Sequence, residues 1–67
     1  MKTGFYRCRI AAQLLQIKVA DALGVSQSTV SGWETGVAHP GAEKLPKIAA
    51  LYNCTIDDLL KRDAESA

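Results

Sequence analysis

Only three residues, Gly24-Val25-Ser26, separate one amphipathic stretch from the next, and this connection constrains the fold more tightly than any other feature of the chain. Upstream, Val19, Ala20 and Leu23 fall at i, i+1 and i+4, the spacing of an apolar helix face. Gly24 stands where that helix can stop in the left-handed region. Ser26 has N-cap chemistry: its hydroxyl can accept the backbone N–H of Ser28 or Thr29. A following helix is expected from about Gln27 to Thr35, ending at Gly36.

The periodicity elsewhere is also helical. Phe5, Cys8, Arg9 and Ala12 fall at i, i+3, i+4 and i+7, a face that is apolar except for Arg9. Residues 37–41, VAHPG, have loop composition. Leu45, Ile48, Ala49 and Tyr52 share the face of a fourth helix. Proline is tolerated only in a first turn, so Pro46 places the start of regular helix near Glu43 to Leu45. Asn53 is a left-handed stop, and Thr55 with Asp58 three residues later resembles a capping box with Asp in place of Glu. The last helix should run from Ile56 to about Lys61, with a fraying tail at 63–67. No alternation extends far enough for a strand. The expected fold is all-α: a compact five-helix bundle forming a single domain over 1–67, with its core in 5–61 and a helix-turn-helix at about 16–35. Three residues is the length of a helix-turn-helix turn.

Composition narrows the function. Sixty-seven residues are one domain at most, close to the lower size limit for an unaided hydrophobic core. The apolar fraction of 48% excludes a disordered tail. Net charge is +1, with +2 in residues 1–36 and −1 in residues 37–67, so charge alone predicts no strong attraction to nucleic acid. No signal-peptide pattern and no apolar run of membrane-spanning length is visible, which leads to an expectation of a cytoplasmic protein, no membrane partner, and reduced cysteines. Cys8 and Cys54 are each expected to act as a small buried hydrophobe. A metal site would need Cys8, Cys54 and His39 to converge, and no paired spacing supports one. No metal, other cofactor or small-molecule ligand is expected. An enzyme is disfavoured: the chain has one His, two separated Cys, no Gly-rich phosphate loop and no paired carboxylates in a cleft. Asp57 and Asp58 are adjacent at a helix start, where the dipole favours acids.

The third helix has two unlike sides. At about 100° per residue, Val30, Trp33 and Glu34 cluster on one, a packing face with one acid in it. Ser28, Ser31, Gly32 and Thr35 cluster on the other, with Gln27 at the rim of the first turn. Ser and Thr are mediocre helix formers, and Gly costs about 1 kcal/mol relative to Ala in a helix interior. Local stability does not explain this strip. It is either a poorly optimised surface or one that a close-fitting partner reads: Gln can pair with the N6 and N7 edge of adenine, and Ser or Thr with several bases.

The pattern Q-x-x-x-A-x-x-L-G-V-S-Q-S-T-V-S-x-W-E-x-G, here Gln16, Ala20, Leu23 to Ser31, Trp33, Glu34 and Gly36, resembles the lambda-repressor-like (Cro/repressor, Xre-type) family of helix-turn-helix DNA-binding domains. Pro40, Leu45, Ile48, Ala49 and the stretch TIDDLL extend the resemblance to nearly the whole chain. It implies that Gln16 caps the second helix and contacts a DNA phosphate, and that Gln27, Ser28, Ser31 and Gly32 face the major groove. Ser26 belongs to the same DNA-binding set. Thr29 and the backbone from Thr35 to Ala38 take phosphates, and Arg9 and Glu34 form an internal ion pair. Departures from the family pattern are Gln13 where Gly is common, Leu15 where Ser or Thr is common, Gly32 in place of a long polar side chain, and the non-basic loop Val37-Ala38-His39. The implied function is sequence-specific binding of double-stranded DNA by a homodimer. It would act as a repressor-like transcriptional regulator of phage or bacterial type. The alternative is a protein-interaction or antitoxin-like module on the same fold, with weak DNA affinity.

Overall fold

The computed structural model describes residues 2–61; the tail expected to fray lies outside the described residues. Among these described residues five α-helices follow in order: α1 (Gly4–Ala11), α2 (Gln16–Leu23), α3 (Gln27–Thr35), α4 (Leu45–Tyr52) and α5 (Ile56–Leu60). A single 3-10 turn, Ala42–Lys44, leads into α4 and leaves Pro46 in its first turn. The core gathers Phe5 from α1, Val19 and Ala20 from α2, Val30 and Trp33 from α3, Ile48, Ala49 and Tyr52 from α4, and Leu59 from α5. Phe5 and Trp33 pack as tilted rings with centroids 6.1 Å apart.

Local chemistry sets most helix ends. Gly24 (φ 71°), Gly36 (φ 85°) and Asn53 (φ 57°) stop α2, α3 and α4 in the left-handed region. Ser26 accepts the N–H of Thr29 at 3.2 Å. Thr55 and Asp58 form a reciprocal capping box, 3.0 and 3.2 Å. The Thr55 backbone N–H, bonded to the Asp58 carboxylate, holds that acid below its ordinary value.

Long-range contacts set the others. Helix α5 stops at Leu60, one residue short of expectation, because Lys61 turns extended and its carbonyl accepts the N–H of Gly4. Thr3 stands at the N-cap of α1 without capping it. Its hydroxyl instead donates to the Trp33 carbonyl at 2.8 Å, and its N–H to the Glu34 carbonyl at 3.0 Å. Two carbonyls in the last turn of α3, which that helix cannot satisfy itself, are thereby bonded.

The turn into α2 passes through Gln13 at φ 61°. A left-handed conformation costs a side-chain-bearing residue roughly 1–2 kcal/mol. Gln13→Gly is expected to stabilise the fold by about 0.5–1 kcal/mol, part of that relief being offset by the greater freedom of an unfolded glycine. Urea denaturation measures it; a loss of stability would show that the Gln13 side chain, not its backbone, governs this turn.

The cysteines act as small hydrophobes, though neither is fully buried. Cys8 on α1 and Cys54 after α4 are both free and half-buried, pack against the core, and line one groove. Burial, reinforced by the neighbouring Cys8 thiol, pushes Cys54 up to about 12.

Candidate nucleic-acid interface

Helix α3 buries Val30, Trp33 and Glu34, and Glu34 is only 1% exposed. A carboxylate so buried must be neutralised and fully hydrogen-bonded. Arg9 of α1 supplies both needs: its Nε donates to Glu34 Oε2 and its Nη2 to Oε1 at 3.1 Å. The third guanidinium nitrogen, Nη1, donates to the Leu14 carbonyl at 2.7 Å, fixing the loop between α1 and α2. The Tyr6 ring lies 5.7 Å from the guanidinium carbon. Bonding to Glu34 raises Arg9 above its ordinary value, so the guanidinium stays charged.

The pair also orders the surface. Glu34 Oε1 accepts a second hydrogen bond, from Gln16 Nε2 at 2.9 Å. An ionised carboxylate can only accept, so the Gln16 amide must present its nitrogen to Glu34 and its oxygen outward. That outward Oε1 accepts from Gln27 Nε2 at 3.3 Å. A chain of bonds thus runs from the core, Arg9 to Glu34 to Gln16, and ends on the first residue of α3. Gln27 keeps one amide N–H and its carbonyl oxygen, the donor and acceptor that an adenine edge requires.

Gln16 is therefore not the cap of α2. Leu15 occupies the cap position, with no side-chain hydrogen bond to the helix, and Gln16 is the first helical residue. The Lys18 and Val19 amides donate to the Leu15 carbonyl, which leaves the first two amides of α2 to solvent or to an anion.

Around Gln27 the hydroxyls partner one another. Ser26 Oγ lies 3.1 Å from Ser28 Oγ and 2.9 Å from Thr29 Oγ1. Gln27 and Ser28 are exposed, while Thr29, Ser31 and Gly32 are half-buried. Thr35 is exposed, but its hydroxyl folds back onto the carbonyls of Ser31 (3.3 Å) and Gly32 (3.4 Å). The Gly32 carbonyl also takes the N–H groups of Gly36 (3.1 Å) and Ala38 (3.2 Å), and a Cβ at Gly32 would lie 3.4 Å from that of Ala38. The chain after α3 thus folds back across Gly32. A Cβ there would make only ordinary contact with this loop, whose return across α3 is invisible on a helical wheel. Val37 projects from the same loop, 85% exposed. His39 is exposed and borders a separate crevice with Thr3, Phe5, Leu59 and Leu60, away from both cysteines.

Thr3 and the Leu14 carbonyl are the structural supports of this surface that composition and periodicity do not reveal. The one available signal was Thr-Gly just ahead of an apolar periodic stretch, which also suits an ordinary N-cap.

Two short helices joined by Gly24-Val25-Ser26, the second presenting an exposed polar N-terminal turn, define a helix-turn-helix protein. The chain belongs to the helix-turn-helix family, of the Cro/repressor type, which matches residues 5–59. Its relatives include the HTH-type transcriptional regulator AnsR of Bacillus subtilis (strain 168), 41% identical over 46 residues, 69% of this chain and 40% of that protein. The HTH-type transcriptional activator BcrR of Enterococcus faecalis is 38% identical over 52 residues, 78% of this chain and 26% of that protein. The chain thus spans less than half the length of these relatives. No solved structure matches it significantly. Among the described residues no helix is long and apolar enough to cross a membrane.

Proposed function

We propose that this chain binds double-stranded DNA sequence-specifically as a transcriptional regulator, placing the Gln27 end of α3 in the major groove. The observation that carries this reading is the bond chain from Glu34 through Gln16, which holds Gln27 at the front of α3 with a donor and an acceptor turned outward. Gln27, Ser28 and Ser31 face base edges; Gln16, Thr29, Thr35 and the Gly36–Ala38 backbone approach phosphates. The uncapped opening of α2 adds a dipole-favoured phosphate position. Gly32 contributes close approach of backbone rather than a base contact. Repressor-like action would follow from occupying an operator.

With a net charge of +1 and few phosphate contacts, one copy binds weakly. Two copies on half-sites one helical turn apart compensate. Ile56 and Leu60, exposed apolar residues one turn apart on α5, are the proposed contact; Leu51 packs against the core and is less available.

Selection from random duplexes at about 50 mM salt, where phosphate contacts are strongest, tests this. The wild-type chain should enrich a palindromic motif. Gln27→Ala should relax one position of each half-site by roughly 1–3 kcal/mol. Its urea unfolding curve should stay within about 0.5 kcal/mol of wild type. If nothing is enriched, DNA recognition is wrong and the α3 surface belongs to a protein-binding module.

A further inference from the structure

The loop after α3 turns a large apolar side chain to solvent where a DNA-binding surface has most use for a cation. Val37 is 85% exposed, more than any other large apolar residue among the described residues. A lone exposed valine on a free loop needs no explanation. This one is held. The N–H groups of Gly36 and Ala38, on either side of it, both donate to the Gly32 carbonyl, at 3.1 and 3.2 Å. The chain before and after Val37 is thus fixed to one point of α3. A Cβ on Gly32 would lie 3.4 Å from that of Ala38. The loop therefore runs along the side of α3 that Gly32 faces, the strip of Ser28, Ser31 and Thr35. Neither α3 nor residues 36–41 contain a Lys or Arg.

With α3 in the major groove, the reading on which this inference rests, Val37 stands beside base edges. Those edges offer donors, acceptors and one apolar group, the C5-methyl of thymine. The valine side chain has no polar atom. A donor or acceptor covered by it would lose water without gaining a bond, which is unfavourable. A methyl covered by it removes apolar surface from water on both sides, which is favourable. Gly32 brings no side chain to that level of the helix, and the valine held beside it supplies one.

We infer that Val37 is a specificity-determining residue, packing against the C5-methyl of a thymine in each half-site while the Gly36–Ala38 backbone approaches phosphates. Gln27 and Gly32 are five positions apart in α3. That is about 7.5 Å at 1.5 Å per residue, so this thymine belongs to a different base pair from the one Gln27 reads.

The test uses the palindromic duplex that the wild-type chain selects, with each thymine in turn replaced by deoxyuridine, which removes the methyl and keeps every hydrogen-bonding group. Binding is read by fluorescence anisotropy of the labelled duplex at about 50 mM salt. At one position of a half-site, deoxyuridine should weaken the wild-type chain about fourfold, the equivalent of roughly 0.8 kcal/mol for one buried methyl-sized group. Val37→Ala, with an unchanged circular dichroism spectrum and urea midpoint, should bind the unmodified duplex more weakly by a similar factor. It should lose nothing further from that deoxyuridine. Gln27→Ala, weaker overall, should keep the fourfold effect. A wild-type chain indifferent to deoxyuridine at every thymine overturns the contact, and so does a Val37→Ala chain that retains the effect. If random duplexes yield no enriched motif, DNA recognition itself fails and this contact with it; a motif without such a thymine removes the contact alone.

Discussion

Arg9→Met is expected to remove roughly 3–5 kcal/mol of folding stability, because it leaves the Glu34 carboxylate buried without its partner. A domain of this size has about 0.05–0.15 kcal/mol of stability per residue, so the variant should be marginal at best. Three separate consequences contribute. Glu34 loses two charge-assisted hydrogen bonds, the Leu14 carbonyl loses its donor, and Gln16 remains as the sole side-chain donor to the acid. The double variant Arg9→Met with Glu34→Leu removes both charges, and it should recover most of the loss, since a buried pair replaced by apolar groups is often nearly neutral. It should not recover base preference, because Gln16 then has no carboxylate to fix its amide and cannot orient Gln27. Urea denaturation of both variants, alongside duplex selection with the double variant, separates the structural and functional roles. A single variant within about 0.5 kcal/mol of wild type would refute the buried pair.

Much of the fold was readable in the sequence because the signals that end helices are local. Gly24, Gly36 and Asn53 stop helices by their own conformational preference, and Ser26 and Thr55 bond amides three residues away. What was not readable depends on chain segments meeting at a distance. Thr3 looks like a cap for its own helix, yet it bonds carbonyls thirty residues on. Lys61 looks helical until the N–H of Gly4 draws out its carbonyl. Cys8 and Cys54 show no motif spacing because their meeting is a product of helix packing. Arg9 and Glu34 stand out as charges on apolar faces, but the onward bonds to Gln16 and Gln27 do not. Gly32 looked like a gap in a polar strip, and the loop that returns to bond its carbonyl was not visible there.

Gly4→Ala is expected to cost about 3 kcal/mol or more, at or beyond the upper end for overpacking. A Cβ at this position would lie 1.9 Å from the Asp58 carbonyl oxygen, 2.7 Å from that of Leu59 and 2.8 Å from the Leu59 carbonyl carbon. All three are backbone atoms of α5, so no side-chain rotation relieves the clash. Gly4 also donates its N–H to the Lys61 carbonyl at 2.6 Å, which holds the two helix ends together. Relief therefore requires α5 to withdraw from α1. A five-residue helix anchored by Leu59, which has no exposed surface, cannot withdraw without opening the core. Hydrogen exchange should show this selectively: α5 amides should lose protection first, and those of α2 and α3 last. Gly24→Ala is the control, since it has open space around its Cβ and only a left-handed φ to oppose it, worth roughly 1–2 kcal/mol. Equal losses at the two positions would mean that backbone conformation, not the approach of α5, makes glycine necessary at Gly4.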